Sequence, residues 1–275
     1  MNNAAATETA GTARPLAGDI AHAFADSKAF IPFITVGDPD LATSEELIVA
    51  MAEEGASLIE LGIPFSDPTA EGPVIQEANL RALSAGTTTD DVFDLVERVR
   101  TRTNVPLAIM PYANVVYGYG VERFYSRMAR AGVAALILPD VPYEEKTEFA
   151  EPAQAAGVTL VSMVAPTSDA RVDMIARQAQ GFVYCVSSLG VTGVRNSLDN
   201  KAAELVQRVR KANSDIPCAV GFGISTPKQA HDMAAVADGA IVGSAVVRII
   251  AENGKNSVQP VREFVRNMVQ AVKEA

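Results

Sequence analysis

The chain has 275 residues, 48% of them hydrophobic, and a formal net charge of −10 at pH 7. This length and apolar content suffice for one large core. The acidic balance, with no Lys/Arg-rich block, argues against nucleic acid or an anionic membrane as the main partner. An anionic small-molecule ligand therefore needs local donors. Cys185 and Cys218 lie far apart in sequence beside apolar, strand-like residues, without metal-ligand spacing, and read as buried reduced thiols. His22 and His231, the only histidines, each fall in a helical pattern with no second ligand nearby, which disfavours a zinc site or a His-based triad. No apolar run reaches the roughly eighteen residues that span a bilayer, and the Ala/Thr-rich beginning lacks a basic segment followed by an apolar one, so a cytoplasmic location is expected.

Residues 1–15 contain little bulky apolar content and are expected to form a disordered tail, leaving 16–275 as one domain. Short apolar runs then alternate with helical patterns: Phe30–Val36, Ser57–Leu61, Pro106–Met110, Ala134–Leu138, Val158–Met163, Gly181–Val186, Pro217–Gly221 and Gly239–Val242. Between the first two, Thr43–Glu54 reads as a helix with Thr43 and Glu46 as a capping box and Gly55 as its stop. Two helical patterns, Pro73–Leu83 and Asp91–Arg100, fill the long gap between the second and third runs. Pro152 interrupts the pattern after Tyr143, which predicts a kinked or split helix there. Thr226, with Pro227 at the first helical position, starts another helix. Eight βα units whose strands are too apolar for one-sided burial predict an α/β fold, a closed (β/α)8 TIM barrel with an extra helix after the second strand. Such barrels carry their active sites at the C-terminal ends of the strands.

Two carboxylates converge on that end. Glu60 lies between Ile59 and Leu61 in an apolar strand, where desolvation raises a carboxyl pKa and favours a proton donor near neutral pH. Glu71, on the following Pro/Gly-rich loop, has no such sheath and is expected to remain an ionised acceptor. A strand-end Glu and a solvated loop Glu explain the same residues without chemistry. Glycine clusters follow the last three strands: Gly190–Gly193, Gly221–Ser225 and Gly243–Ser244. Glycines let backbone amides approach a phosphate, and a helix starting at Ser244 favours an anion at its N-terminus. Each cluster taken alone equally reads as a strand end or helix cap. Phe33, Tyr112, Tyr184 and Phe222 sit at strand ends, where they fit a planar aromatic ligand or belong to the core.

These residues together resemble the α-subunit family of tryptophan synthase, from about Phe30 to Met268. The resemblance rests on Phe33-Ile34-Thr35-Val36-Gly37-Asp38-Pro39, Glu60-Leu61-Gly62-Ile63-Pro64-Phe65-Ser66-Asp67-Pro68, Tyr112-Ala113-Asn114, Asp140-Val141-Pro142, Gly190-Val191-Thr192-Gly193 and Gly221-Phe222-Gly223-Ile224-Ser225, in family order. It implies a lyase that cleaves indole-3-glycerol phosphate to indole and glyceraldehyde 3-phosphate by a retro-aldol step, without a cofactor. By matching positions, Glu60 would protonate indole C3 and assist removal of the glycerol hydroxyl proton, and Glu71 would accept the indole N–H. Phe33, Tyr112, Tyr184 and Phe222 match positions near the indole or the catalytic acid. Gly193, Gly223, Gly243 and Ser244 match the phosphate site, and Thr192 the contact that closes its loop onto the second acid.

The sequence departs from the family at one of these places: the usual Ala-Asp-Gly-Pro is Ala70-Glu71-Gly72-Pro73, one methylene longer. The resemblance also implies an αββα complex with a pyridoxal-phosphate-dependent β subunit, with Pro64, Asp67 and Asn114 on the partner-facing surface. Another phosphate-binding barrel enzyme, a weakly catalytic allosteric subunit and a free-standing lyase are the competing readings; Glu71 keeps the second of these open.

Overall fold

The computed structural model describes residues 20–166, 169–186, 195–221 and 223–275; the expected tail lies outside them. Parallel strands β1 (Ala29–Thr35), β2 (Ile59–Gly62), β3 (Leu107–Met110), β4 (Ala135–Leu136), β5 (Thr159–Leu160), β6 (Ser162–Val164), β7 (Val183–Val186), β8 (Cys218–Gly221) and β9 (Gly239–Val242) form one sheet in the order β5-β4-β3-β2-β1-β9-β8-β7-β6. The two strands at the ends of that order are separated by Val161 alone. The expected strand Val158–Met163 is therefore two pieces: the first pairs with β4 and the second with β7. Val161 N–H donates to the Leu136 carbonyl at 2.9 Å, so the chain itself joins the ring.

Alternation along the strands sorts their side chains into two cores. Ile31, Ala108, Ala135, Val161, Tyr184, Ala219 and Ile241 belong to the cluster inside the barrel. Ile34, Ile59, Leu61, Ile109, Cys185 and Val220 face the surrounding helices. Strands buried on both faces explain the near-continuous apolar runs in the sequence. A 3-10 turn, Ile20–Phe24, closes the N-terminal end of the barrel: Ile20 and Ala23 join the interior cluster, and Phe24 packs on Phe182 with ring centroids 5.4 Å apart. His22 is exposed on this turn.

The helices are α1 (Leu41–Glu53), α2 (Pro73–Ser84), α3 (Thr89–Val99), α4 (Ala113–Tyr119), α5 (Val121–Ala131), α6 (Thr147–Ala155), α7 (Asp169–Gln178), α8 (Arg195–Ala212), α9 (Pro227–Val236), α10 (Ser244–Asn253) and α11 (Val258–Lys273). The cap of α1 is Asp40 rather than Thr43: its carboxylate accepts the Thr43 N–H at 2.8 Å, a stronger acceptor than a hydroxyl. Thr88 and Asp91 form the capping box of α3, and Thr226 and Gln229 that of α9, as expected for Thr226. The predicted break near Pro152 falls earlier. A 3-10 turn at Tyr143–Glu145 precedes α6, and Pro152 remains inside that helix.

The extra helix after the second strand is α2. Arg81 on it forms a two-pronged ion pair with buried Asp38, at 2.8 Å for each contact, tying the insertion to the loop after β1. A second insertion, α4, was not apparent in the sequence; Gly120, at φ 93°, turns the chain from it into α5. Beyond α10, helix α11 packs on α1 and α9 through Val261, Val265, Met268 and Val272. Its Arg262 and Arg266 both bond Glu54, and Arg266 first among them holds that carboxyl down at about 2. No helix among the described residues is long and apolar enough to cross a membrane.

Candidate active site

A cavity of about 980 Å3 opens at the C-terminal ends of the strands. Glu60 reaches it from β2: because Ile59 and Leu61 face the helices, the alternation of the strand turns Glu60 inward, between its register partners Phe33 and Ala108. The residue is 1% exposed, and its Oε1 has no hydrogen-bond partner. Burial pushes the carboxyl up to about 8, so at neutral pH it carries a proton. Tyr184 lines the same cavity from β7; burial, and then the charge of Glu60, raises its hydroxyl well above the usual value.

Two glycines make room for the aromatic rings. A Cβ on Gly62 would lie 2.6 Å from Phe33 Cζ, and one on Gly221 would lie 2.6 Å from the Tyr184 hydroxyl oxygen. Phe33, Ile75, Met110, Leu138 and Ile241 add apolar wall, so the inner part of the cavity suits a flat aromatic ring. Ile75, Met110, Leu138 and Ile241 were not singled out in the sequence, where they read as ordinary core positions.

Glu71 faces the cavity from the loop before α2, and its surroundings differ from those expected of a solvated loop residue. It is half-buried. Desolvation raises its pKa, the hydrogen bond from Tyr112 opposes this, and the charge of Asp140 adds to the rise. Tyr112 donates its hydroxyl hydrogen to Glu71 Oε2 at 2.8 Å, and the Tyr112 hydroxyl oxygen accepts the Ala70 N–H at 2.8 Å. Tyr112 is 4% exposed and stacks on Phe65, with centroids 5.2 Å apart; it stands behind Glu71 rather than on the cavity wall.

Across the mouth, Gly223, Gly243 and Ser244 line the cavity. Gly223 adopts φ 78°, in the left-handed region that favours glycine. The adjoining loop is fixed by the α9 cap, because Gln229 Oε1 accepts from Ser225 N–H, Ser225 Oγ and Thr226 N–H. Gly243 is the N-cap of α10 and supplies no side-chain cap, which leaves the first-turn amides of that helix to a ligand. Thr192, Gly193 and Phe222 lie outside the described residues. Of the three positions expected on a partner-facing surface, Asp67 and Asn114 are exposed, whereas Pro64 is buried within the chain. No cluster of three or more His, Cys, Asp or Glu side chains able to hold a metal occurs among the described residues.

A ring of parallel strands with a deep cavity at their C-terminal ends is the architecture of an α/β-barrel enzyme. The family model described as tryptophan synthase alpha chain matches residues 21–275. The alpha chain of Lacticaseibacillus casei is 43% identical over 257 residues, covering 94% of this chain and 96% of that one. The crystal structure of the alpha subunit from Legionella pneumophila superposes with a TM-score of 0.82 at 36% identity, over 90% of this chain and 94% of that one. A chain of the tryptophan synthase complex from Pyrococcus furiosus gives a TM-score of 0.80 at 33% identity, over 89% and 99% respectively. The chain belongs to the tryptophan synthase alpha chain family, the lyases of the indole-3-glycerol phosphate cleavage step in tryptophan biosynthesis. The alpha chain carries no cofactor; pyridoxal phosphate belongs to the beta chain.

Proposed function

We propose that Glu60 carries the proton transfers of this cleavage and that Glu71 binds the indole nitrogen. The reading rests above all on Glu60: buried in the cavity lining, protonated up to about pH 8, and with one carboxyl oxygen that has no hydrogen-bond partner. Its proton goes to indole C3, leaving positive charge on the ring nitrogen. The resulting carboxylate then takes the proton of the adjacent glycerol hydroxyl. As that oxygen becomes a carbonyl, the carbon–carbon bond breaks and its electron pair restores the aromatic ring, giving indole and glyceraldehyde 3-phosphate. Glu60 ends protonated, so atoms and charge balance over one turnover.

Glu71 accepts the indole N–H and stabilises the positive charge that develops there, with Tyr112 setting the direction of its carboxylate. Phe33 and Tyr184 flank the ring, with Phe222 added by family position. Gly223, Gly243 and Ser244 take the phosphate at the start of α10, and Gly193 joins them by family position. Thr192 is assigned the closure of its loop onto Glu71 on the same ground.

The chain works with a beta subunit in an αββα assembly that meets the surface bearing Asp67 and Asn114, with Pro64 supporting that loop from within. The similarity to chains of tryptophan synthase complexes supports this pairing. The test is indole release from indole-3-glycerol phosphate by the full chain, alone and titrated with a beta subunit. Turnover that rises on titration is expected. Absence of indole under both conditions, with substrate still bound, would overturn the assignment of Glu60 and Glu71.

A further inference from the structure

Arg248 lines the active-site cavity together with Gly223, Ser244 and Ala245. It lies four residues beyond Ser244 on α10, hence on the same face and one turn further along the helix. Helical side chains tilt toward the N-terminus, so a long guanidinium at this position extends back over the helix start. The other two cations on the cavity wall are already engaged: Arg171 with Glu144, and Lys146 with Gln178 and the ring of Tyr143. Arg248 is exposed and makes no hydrogen bond or ion pair among the described residues.

We propose that Arg248 is a specificity-determining residue that binds the substrate's phosphate. This rests on the placement of the phosphate at the start of α10. The chain's net charge of −10 sets up a field that repels a phosphate dianion, and Glu71 adds a carboxyl group to the cavity wall itself. Backbone amides and the helix dipole hold an anion once it arrives, but they project little attraction into solvent. A guanidinium at the rim draws the phosphate in and then offers two parallel N–H donors to its oxygens.

The test compares indole-3-glycerol phosphate with its unphosphorylated counterpart, indole glycerol, for the full-length wild type, Arg248→Gln and Arg248→Lys. The wild type is expected to prefer the phosphorylated compound. Arg248→Gln should raise KM for it about tenfold with kcat changed less than about twofold, and Arg248→Lys should recover about half of that loss on a logarithmic scale. The dependence of kcat/KM on ionic strength should flatten in Arg248→Gln and persist in Arg248→Lys. An unchanged KM and salt dependence in Arg248→Gln, with the wild-type preference intact, overturns the role of Arg248 and leaves the phosphate placement standing. No preference in the wild type overturns both.

Discussion

The Tyr112 hydroxyl sits between Ala70 N–H and Glu71 Oε2, 2.8 Å from each, and so fixes the main chain and the side chain of the acid loop with one group. Glu71 stands where the family's usual residue is Asp, and its longer side chain reaches this hydroxyl. Removing the hydroxyl frees the carboxylate and leaves the Ala70 N–H without its partner. Tyr112→Phe is expected to lower kcat/KM for indole release about tenfold, the scale of one hydrogen bond to a charged group. Glu71→Asp retains activity but draws the carboxylate away from Tyr112. The double variant should therefore lose less than the two single losses combined; steady-state kinetics of all four proteins checks this, and strict additivity would show that the clamp does not act through Glu71.

Glu60→Gln keeps the shape of the side chain and removes the transferable proton. Indole release should fall by about 10^3-fold or more, while a phosphate-bearing substrate analogue binds as before in a calorimetric titration. Turnover retained in this variant removes Glu60 from the mechanism.

The same burial gives the reaction a pH signature. Proton delivery needs the acid form of Glu60 in the free enzyme, so kcat/KM should be lost as pH rises through about 8. Glu60→Asp is expected to move this limb, whereas a change elsewhere in the chain is not. A limb near the ordinary carboxylate value would assign it to another group.

Stability responds in a direction unusual for a carboxylate. Between the ordinary value of 4.5 and about 8 the folded chain holds the Glu60 proton and the unfolded chain does not. The contribution is fully present below 4.5 and is lost as pH rises through this window, because the folded state then shelters a bare charge or keeps a proton that the unfolded state releases. The melting temperature of Glu60→Gln should exceed that of the wild type at pH 8 by more than at pH 5. Parallel melting curves across this range would contradict the buried, unpaired state of the group.

Gly62→Ala tests the packing beneath the substrate. The added methyl would meet the Phe33 ring 2.6 Å away, and relief by a swing of the ring toward the cavity is expected. A loss of about 1–3 kcal/mol in stability is expected from the overpacking, with KM rising more than kcat falls. Denaturant unfolding and steady-state kinetics read the two effects separately; an unaltered KM would mean that the ring yields in another direction.

Much of this organisation was legible in the sequence because strands covered on both faces leave long apolar runs, and alternation fixes which way Glu60 points between Ile59 and Leu61. Caps followed the same local logic at Thr226, but at Asp40 a better acceptor three residues upstream displaced Thr43. What escaped depends on contacts distant along the chain. The half-buried state of Glu71 needs Tyr112, 41 residues away, and the division of the fifth strand at Val161 depends on which neighbours its halves meet around the ring. Arg248 was within reach of helical spacing from Ser244; only the cavity shows that this face of α10 meets the site.

The stopper formed by Ile20 and Phe24 closes one end of the barrel, and among the described residues the cavity opens at the other. On the proposed assignment, substrate enters and both products depart past the rim lined by Glu71 and Arg248. In the placement proposed above, the aromatic product starts in the inner chamber and the phosphorylated one nearer the threshold, so traffic is a queue rather than a crossing. Whatever covers the doorway decides where the inner product goes.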